Sequence, residues 1–331
     1  MPRDSFNREI DYLRISVIDR CNMRCVYCMP LDGIRFLPNP DLLRPEEIEM
    51  VVRAGVDVGF RKFRLTGGEP TLRADLIEIV ERIARIDGVL GLAMTTNAML
   101  LEQLARPLKD AGLTRINVHL DSLNPETMER QMRWGNFERV WRGIMAAEAA
   151  GLTPIKLNSV VTAGYNETDV VDLARLTIER DWHVRFIELM PLGGGECARL
   201  SMKRYVSNIE TRRRIEAALG PMTELPTENL SDESRNYRLQ NAKGVIGFIS
   251  PVSEPYCGTC NRMRLTADGK FHLCLLNDDE LDVRRALRSG SGKQLEEVAE
   301  ILRRAVEMKP TGHHLLEGRS TKDRSMYQIG G

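Results

Sequence analysis

The sequence predicts an α/β fold, in which a partial (β/α)6 barrel of the TIM type is followed by a C-terminal α+β extension. Between residues 12 and 189, six segments with the character of strands are separated by amphipathic segments with helical periodicity. After Met190 this regular succession stops, and shorter strand candidates follow. Strand–helix–strand units favour right-handed crossovers and a parallel sheet, for which a doubly wound sheet is the alternative on this pattern alone. Six units are fewer than the eight of a complete barrel.

The first strand is predicted from segment 12–17, where Leu13, Ile15 and Val17 alternate with polar residues and share one face. A helix from residue 45 to about 59 follows, because Pro45 suits a first helical turn and two glutamates come directly after it. The later elements are strand 62–66, helix 75–86, strand 89–95, helix 100–111, strand 115–120, a helical stretch 125–150 broken near Gly135, strand 155–161, helix 168–180 and strand 184–189.

The chain has 331 residues, which exceeds the ~250–300 at which a single core usually stops growing. We therefore predict a barrel core over 1–220 and a C-terminal segment over 221–331. The boundary region contains a glycine turn at 193–195, a helix at 205–219 and a polar loop at 227–236. Beyond it the pattern predicts strands 237–239, 244–250, 263–266 and 270–275, followed by helices 281–287 and 294–308.

Composition excludes several classes of function. Lysine plus arginine and aspartate plus glutamate number 47 each, so no global charge favours nucleic acid or an anionic membrane. No apolar run approaches the ~18–20 residues of a membrane span, and the polar segment 1–8 lacks the apolar core of a signal peptide. We expect a cytoplasmic protein. There, seven cysteines grouped as three, three and one favour metal ligands over disulfides.

The first group consists of Cys21, Cys25 and Cys28, directly after the first predicted strand. The spacing Cys-x3-Cys-x2-Cys lets one short loop present three soft thiolates to an iron–sulfur cluster. Three ligands leave one metal position open for something other than protein. The alternatives are an incomplete zinc knuckle or three cysteines buried by chance.

With Tyr27 between its last two cysteines, this loop resembles that of the radical S-adenosylmethionine (SAM) superfamily. The resemblance implies that the open iron binds the amino and carboxylate groups of SAM, and that reductive cleavage yields a 5′-deoxyadenosyl radical. Gly67-Gly68-Glu69-Pro70 follows the next strand, as does the superfamily's segment that holds the SAM amino group. Taken alone, these four residues are an ordinary glycine turn before a helix.

The second group is Cys257, Cys260 and Cys274, again without an obvious fourth ligand. Half a zinc ribbon is one interpretation, and a second cluster with one open iron is the more specific one. Between these cysteines, Arg262 and Arg264 fall on one face of a predicted strand, where two guanidinium groups could bind phosphate oxygens. Taken alone, such a pair usually faces solvent.

Over nearly the whole chain the match narrows to the family of GTP 3′,8-cyclases, which begin molybdenum cofactor biosynthesis. The segments that resemble this family are 19–30, 63–70, 156–158, 186–191, 257–264 and 329–331. The resemblance implies two [4Fe–4S] clusters, one on each cysteine triple, with the second open iron meeting the guanine base. It places Tyr27, Gly68 and Met190 at SAM. It also brings a set of residues into contact with GTP, namely Arg14, Arg64, Thr95, Lys156, Arg262 and Arg264.

One position departs from the family pattern. His119 stands where the family commonly has a serine that contacts SAM, so a SAM contact and a core-facing histidine are both open interpretations. The tail 319–331 has the composition of a disordered terminus. In the family the last two glycines reach into the active site, and this chain retains Gly330 and Gly331.

The reaction implied by the resemblance is that of a lyase. The deoxyadenosyl radical abstracts a hydrogen atom from C3′ of GTP, and the C3′ radical attacks C8. Reduction and protonation, with Arg14, Arg262 and Arg264 as catalytic residues, give (8S)-3′,8-cyclo-7,8-dihydroguanosine 5′-triphosphate.

The implied partners are an electron donor, a second copy in a homodimer, and the cyclic pyranopterin monophosphate synthase that takes the product. The alternatives are a radical SAM peptide-modifying enzyme with an auxiliary cluster, which usually has more C-terminal cysteines, and a non-catalytic zinc or iron–sulfur protein.

Overall fold

The computed structural model describes residues 1–193, 195–226, 232–317 and 320–330. Part of the predicted polar loop 227–236, the middle of the predicted glycine turn and Gly331 lie outside these residues. The strands in chain order are β1 (Tyr12–Ser16), β2 (Lys62–Thr66), β3 (Gly91–Thr96), β4 (Arg115–His119), β5 (Lys156–Val161), β6 (His183–Glu188), β7 (Met222–Glu224), β8 (Arg235–Leu239), β9 (Val245–Ile249), β10 (Arg262–Leu265), β11 (Lys270–His272) and β12 (Glu280–Asp282).

Helices follow most of the early strands. They are α1 (Pro45–Val58), α2 (Leu76–Ala84), α3 (Leu101–Asp110), α4 (Pro125–Met132), α5 (Phe137–Ala149), α6 (Val170–Glu179), α7 (Gly195–Lys203), α8 (Asn208–Leu219), α9 (Arg284–Leu287), α10 (Gln294–Glu307) and α11 (Met326–Ile329). In the part of the chain that the structure describes, no helix combines the length and apolarity needed to cross a lipid bilayer.

The described strands form one sheet in the order β12-β11-β10-β1-β2-β3-β4-β5-β6-β9-β8-β7. From β10 to β9 every neighbouring pair is parallel, and the strands at both ends are antiparallel. The predicted α/β class with a parallel sheet is confirmed, and the six predicted strands agree with β1–β6 to within two residues. The C-terminal segment adds β9 and β10 to opposite sides of these six strands. The division at residue 220 stays a prediction.

The sheet curves into a partial barrel. Glu233, which precedes β8, lies 3.0 Å from Arg14 on β1 and 3.9 Å from Arg185 on β6. In a flat sheet these two strands would be roughly 24 Å apart, because five spacings of about 4.8 Å separate them. One carboxylate can contact both only if the sheet bends around it. The inward face of the strands is therefore the wall of a common interior.

Strand alternation divides the apolar core from this interior. On β1, Leu13 and Ile15 are fully buried in the core that the outer helices cover, whereas Arg14 faces the other way. Burial of each such aliphatic side chain contributes about 1.5–3 kcal/mol. The helices lie outside the sheet because their apolar stripes pack on it, as in the contacts of α2 with β3 and of α6 with β6.

Several local predictions differ from the structure. The predicted helix 281–287 begins as a strand, because Glu280–Asp282 form β12 and only Arg284–Leu287 form α9. Residues 195–203 form α7, a helix that the glycine-rich, polar sequence did not indicate. Near the C-terminus, α11 is a short helix with Ile329 fully buried, whereas its composition is typical of a disordered tail. Both elements depend on packing against the rest of the chain, which sequence periodicity does not report.

Candidate active site at the carboxyl ends of the strands

A cavity lies at the carboxyl ends of the parallel strands, where α/β proteins commonly bind ligands. It is lined by all six cysteines of the two predicted triples. Cys21, Cys25 and Cys28 follow β1, and Cys257 and Cys260 precede β10. The cavity lining also includes several other predicted site residues, namely Arg14, Tyr27, Gly68, Thr95, His119, Met190, Arg262 and Arg264.

Two predicted GTP contacts, Arg64 and Lys156, are not among the lining residues of this cavity. Arg64 is in register with Arg14 on the neighbouring strand, and its guanidinium donates to the Tyr12 hydroxyl and to Thr95 Oγ1 (3.3 Å). Lys156 begins β5, two residues before Asn158, which does line the cavity. Lys156 therefore lies one inward-facing position deeper in the barrel than the cavity wall, whereas Arg64 is level with the lining residue Arg14.

The first cysteine loop is held by backbone hydrogen bonds to the end of α4. The Arg24 amide donates to the Met132 carbonyl (3.2 Å), and the Val26 amide donates to the Gln131 carbonyl (3.0 Å). The Arg24 guanidinium then donates back to the Cys21 carbonyl (2.7 Å). These contacts fix the shape of a loop that has no regular secondary structure of its own.

The thiols of the first triple lie in a setting that favours their neutral form. Burial raises the pKa of Cys21 to about 12, and burial together with the nearby thiols raises the pKa of Cys28 well above its ordinary value. A buried thiolate is costly without a cation beside it, and a bound metal supplies that cation. The six thiols of the two triples form no disulfide. This donor set fits a metal cluster that brings positive charge with it.

Ligands of a single ion must converge on one point. Among the described residues, no three histidine, cysteine, aspartate or glutamate side chains are close enough to hold one metal ion. Thiolates that each bind a different iron of one cluster need no such common point.

The second triple lies in a cationic setting. Although burial opposes ionisation, the positive charges of Lys309 and Arg262 lower the pKa of the Cys260 thiol to about 6. Lys309 is only 3% exposed and donates from Nζ to the Leu273 carbonyl (3.0 Å). Sequence reasoning missed Lys309, because it is a single lysine after a helix and nothing in its surroundings suggests a role.

Tyr27, His119 and Asp121 form a compact group beside the first triple. The Tyr27 hydroxyl donates to Asp121 Oδ2 (2.7 Å) and lies 2.8 Å from His119 Nε2, which is itself 3.2 Å from Asp121 Oδ2. Burial disfavours the charged imidazole, but the Asp121 carboxylate outweighs it and raises the pKa of His119 well above its ordinary value. His119 thus both lines the cavity and pairs with a buried carboxylate.

The Gly-Gly-Glu-Pro segment is bonded directly to the start of the cysteine loop. The Gly68 amide donates to the Ile18 carbonyl (2.7 Å), and the Glu69 amide donates to the Arg20 carbonyl (2.8 Å). The Glu69 carboxylate is buried and accepts from Thr96 Oγ1 (2.6 Å) and from the Asn97 amide (2.7 Å). This segment therefore ties the cysteine loop to the carboxyl end of β3.

Replacing Gly68 by alanine is expected to disturb the start of the cysteine loop. A Cβ atom at this position would lie 2.4 Å from the Arg20 carbonyl oxygen and 2.8 Å from that of Asp19, so the backbone must move. We expect a loss of about 1–3 kcal/mol in the free energy of unfolding, measured by urea denaturation. Gly91→Ala is the matched control, because its nearest neighbour would be an Arg115 side-chain nitrogen at 3.7 Å. Equal stability of the two variants would contradict this packing.

The barrel interior is rich in cations. Arg14 on β1 is in register with Arg64 on β2 and with Arg264 on β10. Lys156 on β5 and Arg185 on β6 face the same interior, and burial together with the neighbouring cations lowers the pKa of Lys156 to about 8 and that of Arg185 to about 10. Burying cations is costly unless an anion compensates for them.

Two residues of this interior were missed at the level of sequence. Arg185 is 7% exposed and donates from Nε to Asn158 Oδ1 (2.9 Å). Strand alternation in β6 places it on the inward face, which is a signal that could have been used. Glu233 pairs with Arg14 (3.0 Å), with Arg262 and with Arg185 (3.9 Å). Nothing in its polar surroundings in the sequence indicates these partners.

The C-terminal tail reaches the carboxyl ends of β1 and β2. A Cβ atom at Gly330 would lie 2.1 Å from Thr66 Oγ1 and 3.2 Å from Ser16 Cβ, so only glycine fits between these strands. Ile329 before it is fully buried. Gly331 lies outside the described residues.

Comparison with known proteins divides the chain into two matched parts. Residues 15–177 match the model of the radical SAM superfamily, and residues 182–315 match the model described as Molybdenum Cofactor Synthesis C. The GTP 3′,8-cyclase of Pelotomaculum thermopropionicum is 47% identical over 99% of this chain and 100% of its own length. The GTP 3′,8-cyclase of Moorella thermoacetica is 44% identical over the same shares.

Solved structures with low sequence identity show the same fold. Streptococcus suis SuiB bound to S-adenosylmethionine has a TM-score of 0.60 and 15% identity, covering 83% of this chain and 63% of SuiB. The [FeFe]-hydrogenase maturase HydG has a TM-score of 0.50 and 15% identity, covering 64% of this chain and 50% of HydG. At these identities the likeness concerns the fold alone.

Proposed function

Because the chain belongs to the GTP 3′,8-cyclase family of the radical SAM superfamily, we propose that it converts GTP to (8S)-3′,8-cyclo-7,8-dihydroguanosine 5′-triphosphate. This lyase reaction begins molybdenum cofactor biosynthesis. The observation that carries the proposal is the meeting of two cysteine triples and the buried arginines Arg14, Arg262 and Arg264 around one cavity. A radical source and a site for a polyanion thus share one enclosed space.

In this proposal the chain binds two [4Fe–4S] clusters. The first is held by Cys21, Cys25 and Cys28, and the second by Cys257, Cys260 and Cys274. When bound, the first cluster and SAM supply the 5′-deoxyadenosyl radical that starts the reaction. The unequal surroundings of the two triples support different roles, because only the second is flanked by Lys309 and the arginine pair.

The SAM side of the cavity is formed by Tyr27, Gly68, His119 and Met190 in this proposal. Gly68 brings backbone close to the cysteine loop, and its lack of a side chain leaves that approach open. The Tyr27 hydroxyl is fixed by Asp121 (2.7 Å), so its ring has a set orientation toward the loop. His119 is held in the same group, and it offers a hydrogen-bonding ring to the cavity.

The GTP side lies between the arginine pair and the deeper cations. Arg262 and Arg264 are near the second triple, so we place the guanine end of GTP there, with Thr95 lining the wall between the strands. The triphosphate then points toward Arg64, Lys156 and Arg185, whose charges have few compensating carboxylates. After ring closure, Arg14 and the arginine pair would stabilise developing negative charge and guide protonation of the base.

The proposal extends to location and partners. We propose a cytoplasmic homodimer that receives electrons from a separate donor. Its product would pass to cyclic pyranopterin monophosphate synthase.

Product analysis tests the proposed function. The protein is reconstituted anaerobically with iron and sulfide, then incubated with dithionite, SAM and GTP. We expect 5′-deoxyadenosine and a cyclised GTP product in equal amounts, with ATP in place of GTP as the control for the base. Failure to form 5′-deoxyadenosine would show that the protein does not cleave SAM. Formation of 5′-deoxyadenosine without a product from GTP would point to a different radical SAM reaction, such as peptide modification.

A further inference from the structure

Glu233 enters the barrel interior from the end of a β-hairpin. β7 and β8 pair from Met222 opposite Leu239 to Glu224 opposite Tyr237, and the Leu225 amide extends the ladder to the Asn236 carbonyl (2.8 Å). β8 also pairs with β9 from Arg235 onward. Glu233 comes two residues before this ladder begins, so its side chain can rotate without breaking a strand pairing.

The carboxylate of Glu233 holds guanidinium groups from three strands. It lies 3.0 Å from Arg14 on β1, pairs with Arg262 on β10 and is 3.9 Å from Arg185 on β6. Its side chain is 17% exposed, so these ion pairs are largely shielded from water. Burial opposes ionisation, yet the three arginines lower the pKa of Glu233 well below its usual range.

One carboxylate leaves most of the surrounding charge uncompensated. Among the described residues, Arg264 and Lys156 have no ion-pair partner, whereas each is buried or half-buried in the same interior. In the part of the chain that the structure describes, Arg14 Nε, Arg185 Nη2 and Arg264 Nε are buried without a hydrogen-bond acceptor. The interior therefore presents more donors than Glu233 can satisfy, as expected for a site whose ligand carries several negative charges.

Carboxylates and phosphates bind a guanidinium in the same way, through oxygens that accept two parallel N–H donors. A phosphate group that binds Arg14 or Arg185 through the donors that Glu233 now uses must therefore take the positions of the Glu233 oxygens. Both cannot occupy the same donors. The ligand also brings more charge, which the unsatisfied donors of the interior favour.

From these contacts we propose that Glu233 is a built-in competitor of the substrate, whose carboxylate holds the arginines until the phosphate groups of GTP displace it. The inference rests on the proposed function for the identity of the ligand. Glu233 lowers the affinity for the substrate because its carboxylate must first be displaced. The same competition favours ligands that carry enough negative charge to displace a carboxylate. The residue is then a determinant of substrate affinity that the family's pattern of cysteines and arginines does not reveal.

Equilibrium binding to Glu233→Gln tests the proposal. Binding of GTP and of inorganic tripolyphosphate is measured by isothermal titration calorimetry at one fixed ionic strength, without SAM or reductant. We expect the variant to bind both ligands at least about tenfold more tightly than the wild type, because the amide cannot neutralise the arginines. Glu254→Gln is the matched control, since Glu254 pairs with Arg235 (2.5 Å) on the outer rim and should leave both affinities unchanged.

Two outcomes would overturn the proposal. Weaker binding by Glu233→Gln would mean that Glu233 orients the arginines for the ligand. Equal binding would mean that the Glu233 carboxylate and the ligand do not compete for the arginines. Glu233→Asp separates a charge effect from a folding defect, because it keeps the carboxylate and should bind close to the wild-type level. Tripolyphosphate binding does not depend on radical chemistry. If Glu233→Gln binds tripolyphosphate more tightly but the wild type forms no cyclised product from GTP, the proposed function is refuted and the competition by Glu233 is not.

Discussion

A variant with Cys257, Cys260 and Cys274 replaced by alanine is expected to bind roughly half of the wild-type iron after reconstitution. It should still cleave SAM under reducing conditions but release no cyclised nucleotide. The reason is geometric, because these three thiols form their own group on the cavity wall and the loop with Cys21 keeps its backbone contacts to α4. Iron analysis, 5′-deoxyadenosine and product from GTP are the three measurements.

The reciprocal variant completes this test. Alanine at Cys21, Cys25 and Cys28 should also remove about half of the iron, but it should abolish SAM cleavage. Cys197→Ala is the control, because Cys197 lies in α7 and is not among the residues that line the cavity. Full iron content in either triple variant, or SAM cleavage without the first triple, would refute the assignment of one cluster to each triple.

The double variant Arg262→Ala with Arg264→Ala is expected to keep both clusters while product formation falls by at least about 100-fold. Both side chains are nearly fully buried beside the second triple. Arg264 has no carboxylate partner among the described residues, and its burial lowers its pKa to about 10, so its removal should cost little stability. Removal of Arg262 should cost more stability than removal of Arg264, because it leaves the Glu233 carboxylate with fewer cations.

The measurement compares two products of one reaction. SAM cleavage should continue in the double variant, so 5′-deoxyadenosine would form without an equal amount of cyclised nucleotide. Arg238→Ala provides the control, since Arg238 is exposed on the outer hairpin strand β8. Unchanged product yield in the double variant would show that these arginines have no catalytic role.

Local features of the fold were predictable from the sequence. Strands β1 to β6 and the helices between them follow from periodicity, because side chains alternate at every second residue in strands and repeat about every 3.6 residues in helices. The break near Gly135 was also predicted, and α4 and α5 end and begin on either side of it. The two cysteine triples were recognised from the spacing of their cysteines in the sequence, because residues on one short loop stay close together in the folded chain.

Features that depend on distant contacts were not predictable. The pairing of β10 with β1 joins residues about 250 positions apart, and no local pattern reports such a neighbour. Glu233 and Lys309 acquire their partners only through this folding, so each is an ordinary charged residue when the sequence is considered alone. The period-two spacing between the cysteines indicated the arginines of β10 and the family resemblance assigned them to GTP, but neither indicated which carboxylate holds Arg262.

The position of β10 next to β1 has a consequence for how the protein is made. The strand that leads into the first cysteine loop leaves the ribosome about 250 residues before its parallel neighbour. Until then β1 has an exposed edge, which in other proteins promotes aggregation. The barrel wall beside the first cysteine loop is thus completed only when β10 has been made, and loading of iron–sulfur clusters into a finished cavity must follow its translation.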